Sequence, residues 1–395
     1  DNIQGIGSEH FGDYKESAAF AGCSNLVAIE IVPSQDTERL KFYGSDQGVL
    51  YAREGKEGSR FTTLLYYPKG ERRPADVTYS AMSYRVVSGC TRIKDMKNCV
   101  YLKRIVIPSS VTQIDDNAFE GSAELKTVEF LGSGIQTIGD EAFANTKIEA
   151  LTLPASIEEI GTQAFYRCRY LKSVQITGNS LKSIGRDAFN GDRNIKTISI
   201  VSEGKEPSGD AVIAERAFAY LTSLESLEIK NLNNVNIGLQ AFYYDSSLTT
   251  AVFDNSNVRA IGEGAFRGCS SLEEIDFTDS GSLQVISPEA FKGCSSLENV
   301  LLPIKVSLIG KSAFEDCIIL GEFNFGDLKV LGSIGESAFR NTGFSVVRLP
   351  EILVTLGGNA FGDCNMLTAV YVPGTVDIAS TDMNPFGGIG EELTL

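Results

Sequence analysis

Apolar residues recur at fixed offsets along most of this chain, and every recurrence has the same internal order. A Leu is followed three and five residues later by further apolar side chains, as in Leu272, Ile275 and Phe277. An Ile–Gly pair and then an Ala–Phe pair complete the unit. Alternation of this kind is typical of a half-buried strand with one face turned inward. The Phe of each Ala–Phe pair marks the phase of its unit, and it stands at Phe20, Phe119, Phe143, Phe165, Phe189, Phe218, Phe242, Phe266, Phe291, Phe314, Phe339 and Phe361.

The spacing of these Phe residues predicts a repeat solenoid. From Phe119 onward successive steps are 22 to 25 residues, except for one step of 29 between Phe189 and Phe218. Met96 and Phe386 mark two degenerate units. Because each unit can bury its apolar side chains only against its neighbours, we expect a right-handed superhelix of about thirteen coils. The predicted class is an α/β-type repeat solenoid, mostly β, with one parallel strand per coil of roughly 23–25 residues and short helical or 3₁₀ turns.

Two local features refine this pattern. The Gly that usually follows the Ile of a coil suits either a tight bend in which a side chain would clash or a backbone with positive φ. Two coils are only 22 residues long, because one residue is missing before Ile148 and one before Phe344. We expect that deletion to shorten a connecting turn and to leave the following strand undisturbed.

The N-terminal quarter departs from the regular pattern. We interpret residues 1–95 as degenerate coils with a β-hairpin insertion, continuous with a regular solenoid over residues 96–395. A coil surrounds Phe20, and Gly48–Tyr51 and Phe61–Pro68 predict the two strands of the hairpin. A separate N-terminal domain is the alternative. The extra residues of the 29-residue step lie in Ser202–Asp210, and this segment is either a projecting binding loop or a tolerated insertion.

Charge and composition narrow the possible partners. The formal net charge is −16 and the sequence pI is about 4.7, so clustered Lys and Arg for nucleic-acid phosphates are not expected. No apolar run approaches the roughly 18 residues of a membrane span, so a membrane-spanning protein is not expected. The chain starts at Asp1 without Met, and we expect that a signal or lipoprotein segment was removed from it.

The repeat resembles that of the BspA-type leucine-rich repeat family, a group of bacterial cell-surface leucine-rich repeat proteins with some protozoan members. The segment Leu102–Phe119, LKRIVIPSSVTQIDDNAF, is similar to the family motif almost throughout. Gly48–Tyr51 with Thr63–Gly70 also resembles a hairpin insertion common in that family. The resemblance implies a curved solenoid, an extracellular or cell-surface location, and binding of proteins or host matrix by some members. It implies no catalytic residues.

The cysteines follow the repeat. Seven of the eight, Cys23, Cys99, Cys168, Cys269, Cys294, Cys317 and Cys364, stand three residues after the phase position, where other coils have Ser122, Thr146, Asp192, Leu221, Asp245 or Thr342. A position that alternates between Cys, Ser, Thr and Leu indicates a small buried space, since free Cys packs as a small hydrophobe. The alternative is a disulfide or metal framework. The chain has no Cys-x-x-Cys pair and only one His, so we expect free thiols, no metal and no cofactor.

Enzymatic functions find little support. His10 is the sole histidine and lies in a terminal segment, which leaves a Ser–His–Asp or Cys–His arrangement without a base. A carboxylate pair for glycoside hydrolysis stays open among 51 Asp and Glu residues, but nothing selects one and the chain has no Trp. Asp276-Phe277-Thr278-Asp279 lacks the ligand spacing of a known calcium loop and indicates solvated acids. We therefore predict a protein that is not an enzyme, with no catalytic residues.

The strand pattern also predicts which side chains face solvent. The second and fourth residues after each Leu point away from the core, because alternate side chains of a strand face opposite sides. Along the coils these positions change from small hydroxyl residues to acids and amides. The predicted ligand-binding residues are Glu228, Glu274, Asp276, Asn299, Glu322 and Asn324.

Two function classes remain. The first is a monomeric surface or secreted adhesion protein that binds a protein or extracellular-matrix ligand through this sheet face. The alternative is a carbohydrate- or cell-wall-associated structural protein, or an undetected hydrolase.

Overall fold

The computed structural model describes residues 43–46, 49–53, 61–67, 83–204, 209–376 and 384–388. The predicted coil around Phe20, the cysteine Cys23 and the histidine His10 lie outside the described residues, as does the middle of the Ser202–Asp210 insertion, residues 205–208. Within the described residues the chain is a parallel β-solenoid of about 12 turns, roughly 24 residues apart, as the Phe spacing predicted.

Each regular coil contributes one strand to each of two walls and closes with the Ala–Phe turn. We number the strands in chain order and call the stacked Ala–Phe turns the Phe wall. The long sheet contains β1 (Tyr43–Asp46), β2 (Val49–Arg53), β3 (Phe61–Tyr66), β5 (Arg92–Ile93), β7 (Gln113–Ile114), β9 (Thr137–Ile138), β11 (Glu159–Ile160), β13 (Ser183–Ile184), β15 (Asp210–Ile213), β17 (Asn234–Ile237), β19 (Val258–Ile261), β21 (Val285–Ile286), β23 (Leu308–Ile309), β25 (Ser333–Ile334) and β27 (Thr355–Leu356). The other wall is divided into three sheets: β4 (Ser83–Arg85), β6 (Arg104–Ile107) and β8 (Thr127–Phe130); β10 (Leu151–Leu153), β12 (Ser173–Thr177), β14 (Thr197–Val201), β16 (Ser226–Lys230), β18 (Thr250–Val252), β20 (Glu274–Asp276), β22 (Asn299–Leu301) and β24 (Glu322–Phe323); and β26 (Val346–Arg348) with β28 (Ala369–Tyr371).

The strand count per coil is a correction to the sequence prediction. The predicted strand after each Leu forms, but the Ile of each Ile–Gly pair also lies in a strand, so a regular coil has two strands and not one. Most of these additional strands have two residues, such as β9, with a single buried Ile. Two residues are too few to show an alternating pattern in the sequence.

The two 22-residue coils divide the second wall. β10 and β26 form, but the eight-stranded sheet begins at β10 and the two-stranded sheet begins at β26. The deletion therefore preserves each strand and ends its pairing with the preceding coil, which differs from the expectation that the strand would be undisturbed. The long sheet continues through both short coils, as β9 pairs with β11 and β25 with β27.

The hairpin predicted near the N-terminus is present. β2 pairs antiparallel with β3, and β1 extends the hairpin on the side of β2. β3 in turn pairs parallel with β5, so the hairpin is hydrogen-bonded to the edge of the long sheet. The division of the chain at residue 95 stays a prediction. The described residues also contain two 3₁₀ helices, Gly178–Ser180 and Phe325–Asp327, and among them no helix is long and apolar enough to cross a membrane.

The core is a stack of identical layers. Phe rings of successive coils lie parallel, with centroids 4.8 Å apart for Phe119 and Phe143 and 5.4 Å apart for Phe218 and Phe242. Where a Gly follows the Ile of a long-sheet strand, it permits this spacing: a Cβ on Gly262 would lie 2.4 Å from the carbonyl carbon of Gly238 in the preceding coil. Since φ of Gly262 is not in the left-handed region, steric exclusion and not positive φ explains this glycine.

The position three residues after the phase position forms a buried column along the molecule. Its described members are Cys99, Ser122, Thr146, Cys168, Asp192, Leu221, Asp245, Cys269, Cys294, Cys317, Thr342 and Cys364, and all are buried. The column does more than fill space. The Cys294 thiol donates to the Phe266 carbonyl of the preceding coil at 3.2 Å, and the Ser122 hydroxyl both donates to the Met96 carbonyl and accepts the Cys99 N–H. These side chains therefore link consecutive coils as both donors and acceptors.

The predicted free state of the cysteines is confirmed for the described ones. Cys90 and the six described cysteines of the column are free and buried. Burial raises the pKa of the Cys90 thiol to about 11, and burial also raises the pKa of Cys269 and Cys294. A raised pKa leaves little thiolate at neutral pH, and only the thiolate is reactive.

We therefore expect the folded protein to resist thiol reagents. At pH 8 the native chain should react slowly with Ellman's reagent, whereas denaturation in guanidinium chloride without reductant should expose at least the seven described thiols. Rapid modification of several thiols in the native state, or fewer than seven thiols after denaturation, would contradict this assignment.

Two carboxyl groups occupy the same column. Asp192 and Asp245 are fully buried, and burial raises the pKa of both carboxyl groups well above the ordinary range. Asp245 Oδ1 accepts the Leu221 N–H at 2.8 Å, whereas Asp245 Oδ2 and both oxygens of Asp192 have no protein partner. A protonated carboxyl carries no charge and can both donate and accept a hydrogen bond, so the neutral form suits this buried column better than the carboxylate does.

These acids predict an unusual pH dependence of stability. A folded-state pKa above the unfolded value of roughly 3.9 means that the folded state binds more protons, so stability falls as pH rises from that value toward the folded pKa. Between these two pKa values, the free energy of unfolding falls by about 1.4 kcal/mol per pH unit for each group. We expect the double substitution Asp192→Asn and Asp245→Asn to stabilise the protein at pH 7 and to have little effect at pH 4, measured by guanidinium denaturation and circular dichroism.

The matched control is Asp279→Asn, which changes an exposed acid and should have little effect at either pH. A stability change of equal size at pH 4 and pH 7 in the double variant would mean that ionisation of the column acids is not its cause.

Candidate functional site

The eight-stranded sheet presents alternate side chains to solvent, and we call this outer surface the sheet face. The strand register aligns these side chains in rows. The first row is Ser173, Thr197, Ser226, Thr250, Glu274, Asn299 and Glu322, and the second is Gln175, Ser199, Glu228 and Val252, continued by Asp276 and Leu301. None of these residues is buried, whereas the residues between them, such as Ile275 and Val300, are. The sheet face therefore changes from hydroxyl groups at its N-terminal end to acids and amides at its C-terminal end.

A pocket of about 280 Å³ opens on the acidic part of the sheet face, over β18, β20 and β22. We call it the acidic pocket. It is lined by Ala251, Val252, Phe253, Asp254, Glu274, Ile275, Asp276, Thr278, Asp279, Asn299 and Leu301. Four carboxyl groups thus surround one small depression, together with an amide and the apolar side chains of Val252 and Leu301.

The pocket is supported from below and at its side. The rings of Phe253 and Phe277 pack 5.0 Å apart beneath the sheet face, and both are buried. The Asp276 carboxylate accepts the backbone N–H of Thr278 at 2.8 Å, which fixes the turn that follows β20. This hydrogen bond fixes the orientation of the Asp276 side chain, and its second carboxylate oxygen takes no part in that bond.

Three of the six predicted ligand-binding residues meet in the acidic pocket: Glu274, Asp276 and Asn299. Glu322 lies next to this group, because β24 pairs with β22 and aligns Glu322 with Asn299. Among the residues that the structure describes, neither Glu274 nor Glu322 has an ion-pair partner, and both are exposed. These residues leave a charged group available to a ligand.

The other two predicted residues are engaged within the protein. Glu228 forms an ion pair with Lys230 at 3.0 Å and accepts a hydrogen bond from Ser199, and the hydrogen bond from Lys230 lowers the pKa of Glu228. The Asn324 amide donates to the Leu302 carbonyl at 3.0 Å and accepts the Leu302 N–H at 3.3 Å. Asn324 therefore caps the backbone of the preceding coil, and neither residue lines the acidic pocket.

Sequence reasoning did not select Asp254 and Asp279 as binding residues. Both lie in the turn after a strand. The alternation of inward and outward side chains applies only within a strand, so it could not predict where these two carboxyl groups point. Asp279 does belong to the acid-rich segment that begins at Asp276, and this segment was the one available signal.

The arrangement is suited to a positive charge on an organic group. Within the described part of the chain, no cluster of three or more His, Cys, Asp or Glu side chains has the arrangement needed to hold a metal ion. Carboxylates above apolar side chains match a Lys or Arg side chain, which has an apolar stem and a charged end. The volume is at the small end of ligand pockets, which favours one side chain over an extended ligand.

Comparisons with known proteins identify the repeat. The family model described as "BspA type Leucine rich repeat region" matches residues 94–211, 211–333 and 284–384, in six copies. A solved structure of a leucine-rich repeat protein from Bacteroides ovatus is similar, with 23% sequence identity, a TM-score of 0.53, and coverage of 93% of this chain and 100% of that one. The pneumococcal vaccine antigen PcpA has 19% identity, a TM-score of 0.38 and coverage of 90% of each chain.

Among curated proteins, none matches this chain. The similarity to the Bacteroides ovatus protein supports the fold, and the matches to the family model extend over the coils that carry the acidic pocket. The chain belongs to the BspA-type leucine-rich repeat family.

Proposed function

We propose that this protein is a non-enzymatic binding protein that acts at the cell surface or outside the cell. In this proposal the acidic pocket receives a Lys or Arg side chain of a protein or extracellular-matrix ligand. The rest of the sheet face makes the surrounding contact. The observation that carries the proposal is the convergence of four carboxyl groups on one small pocket of an otherwise regular surface.

Charge supports this choice of ligand. Most basic side chains near the sheet face are already paired, as Lys230 is with Glu228 and Lys196 with Glu225. Glu274 and Asp276 have no such partner among the described residues, although Asp276 accepts a backbone N–H. Unpaired carboxylates in a shallow pocket are repelled by each other, and a cationic side chain removes that repulsion.

The distribution of unusual carboxyl groups argues against hydrolysis. A glycosidase needs a carboxylic acid that stays protonated and reaches the substrate. Among the described residues, Asp192 and Asp245 have raised pKa values, and both are buried in the core away from any substrate. The acidic pocket is also small for a sugar chain, so we favour a protein ligand over the carbohydrate alternative.

The test uses the paired substitutions Glu274→Gln and Asp276→Asn. Binding to a fluorescein-labelled lysine-rich peptide, compared with its lysine-acetylated form, should weaken by about tenfold or more, because a charge-assisted contact contributes roughly 1.5–3 kcal/mol. Wild-type binding should weaken as salt is added, since exposed charges are screened. Affinity and its salt dependence are measured by fluorescence anisotropy.

The control pair is Glu263→Gln and Glu351→Gln, which removes the same charge from exposed acids outside the acidic pocket. This pair should change the affinity less than twofold. If the pocket variant binds the peptide as tightly as wild type at low salt, the ligand does not use the acidic pocket.

A further inference from the structure

A second surface, on the Phe wall, combines tyrosines and arginines in a molecule that is otherwise acidic. The tyrosines are Tyr220, Tyr243 and Tyr244, and the exposed arginines one to two coils before them are Arg167, Arg169 and Arg193. We call these six residues the tyrosine–arginine patch. We propose that the patch is a second binding site, separate from the acidic pocket, and that it docks an acidic polypeptide segment that also carries aromatic residues.

Two of these tyrosines occupy a backbone position with positive φ, where a residue of this size is unusual. The second residue after the phase position has positive φ in coil after coil, and it is Gly, Asn or Asp in most of them: Asn98, Gly121, Asn145, Gly191, Gly268, Gly293, Asp316, Asn341, Asp363 and Gly388. The other described occupants of this position are Arg167, at φ 59°, Tyr220, at φ 61°, and Tyr244, at φ 57°. A bulky residue is a true outlier in this conformation, which Gly or Asn adopts with less strain.

Core packing does not explain these tyrosines. Tyr220 is 40% exposed and Tyr244 is 44% exposed, so neither ring fills an internal space. Residues held in a strained conformation cluster at functional sites, and the observed outlier is the starting point for a functional hypothesis. The position that the fold reserves for a small residue instead carries a large aromatic surface.

The three tyrosines form one ordered cluster. The rings of Tyr220 and Tyr244 are nearly parallel, with an interplanar angle of 6° and centroids 6.2 Å apart, and the Tyr243 ring meets the Tyr244 ring edge-on at 4.5 Å. On its other side Tyr244 lies over the backbone of Gly268, where an added Cβ would be 2.9 Å from the ring. Tyr244 is therefore held between a ring and a backbone, and the cluster is rigid before a partner arrives.

An open notch separates the tyrosines from the arginines. Gly191 occupies the positive-φ position in the coil between Arg167 and Tyr220, and no atom lies within 4 Å of where its Cβ would be. The Phe rings of these coils are 5.0 and 5.1 Å apart, so the notch is one coil wide. A side chain of a partner can enter there beside the Tyr220 ring.

The arginines supply the charge that a partner would meet. Arg169 and Arg193 stand at the same repeat position in adjacent coils, four residues after Phe165 and Phe189. Among the described residues neither they nor Arg167 has an ion-pair partner, whereas Arg216 nearby is paired with Asp187. Arg167 lies over the Tyr166 ring at 5.0 Å and keeps its guanidinium exposed. Carboxylates are the complement of such unpaired guanidinium groups.

The side chains favour a polypeptide over an anionic polysaccharide. Tyr and Arg are the residues that concentrate binding energy at protein interfaces. Asn190 and Asp187 beside the patch are already engaged, because the Asn190 amide donates to Asp187 at 2.7 Å and Asp187 also binds Arg216.

The test measures binding of a random glutamate–tyrosine copolymer, with polyglutamate and heparin as comparison probes. Wild type should bind the copolymer more tightly than polyglutamate, although the net charge of −16 opposes both. The substitutions Tyr220→Asn and Tyr244→Asn should weaken binding at least tenfold. Their melting temperature should be unchanged or raised, because Asn suits this backbone position.

A charge variant tests the other half of the patch. Arg169→Gln with Arg193→Gln should also weaken binding at least tenfold and flatten its salt dependence. Two control pairs have the same chemistry elsewhere. The first control replaces two exposed tyrosines outside the patch, with Tyr101→Asn and Tyr371→Asn. The second removes two exposed positive charges outside the patch, with Arg259→Gln and Lys305→Gln. Both control variants should bind the copolymer within twofold of wild type.

Three outcomes would overturn the proposal. Unchanged copolymer binding in the tyrosine variant, together with a lowered melting temperature, would assign the tyrosines a structural role. Heparin binding that both patch variants abolish, at an affinity above that for the copolymer, would make this a glycan site. Loss of self-association in the patch variants, detected by light scattering, with no copolymer binding by wild type, would make the occupant a second copy of the chain.

Discussion

The spacing between coils, close to 5 Å, is the constraint on which the rest of this structure depends. The long sheet and the Phe wall keep this spacing because successive coils are hydrogen-bonded in both, and the second wall keeps it within each of its three sheets. On the Phe wall the Phe266 N–H donates to the Ala290 carbonyl of the following coil at 2.8 Å, and parallel Phe rings fill the interior at 4.8–5.4 Å. The small Ala before each Phe and the Gly of each Ile–Gly pair follow from this spacing.

The same constraint lets buried polar groups link one coil to the next. The Cys294 and Ser122 side chains bond to a carbonyl of the preceding coil, whereas the Thr146 hydroxyl donates to the Phe143 carbonyl of its own coil and contacts the Cys168 thiol of the next one. Burial favours the neutral form of Asp192 and Asp245 in this column, and Asp245 accepts the Leu221 N–H of the preceding coil.

Much of the fold could be predicted because the period is fixed. The inward Leu, Val and Ile positions, the Phe layers and the column follow from offsets that recur along the chain, and the structure places these side chains in the core. The strand at each Ile–Gly pair could not be predicted, since two residues such as Thr137 and Ile138 show no alternation. The break in the second wall depends on pairing between coils, and a deletion seen in one coil does not reveal its effect on the next.

The candidate site could be predicted in part for the same reason. The alternation along each strand predicted that Glu274, Asp276 and Asn299 face solvent on the same surface. The pairing of β20 with β22 then makes these residues neighbours. The sequence could not reveal that Asn324 bonds to Leu302, because that partner is 22 residues away along the chain. Asp254 and Asp279 were missed because they lie in turns, where a strand pattern has no phase.

The tyrosine–arginine patch was missed for a different reason. The position of Tyr220 and Tyr244 looks variable in sequence, since Gly, Asn, Asp, Arg and Tyr all occur there. Only the backbone shows that the position has positive φ in every one of these coils, which makes the small residues expected and the tyrosines exceptional. A repeat protein offers this kind of internal comparison because its coils serve as controls for one another.

Charge pairing between coils determines which surfaces remain available to a partner. Basic side chains such as Arg92, Lys182 and Lys311 are paired with an acid of the adjacent coil, and such exposed pairs contribute little to stability. Among the described residues, Glu274 and Asp276 of the acidic pocket have no ion-pair partner, and neither do Arg167, Arg169 and Arg193 of the tyrosine–arginine patch, whereas Asp254 of the pocket is paired with Lys230. These two surfaces have opposite sign and lie on different walls, and we propose that this opposition lets a single solenoid distinguish two classes of ligand without any moving part.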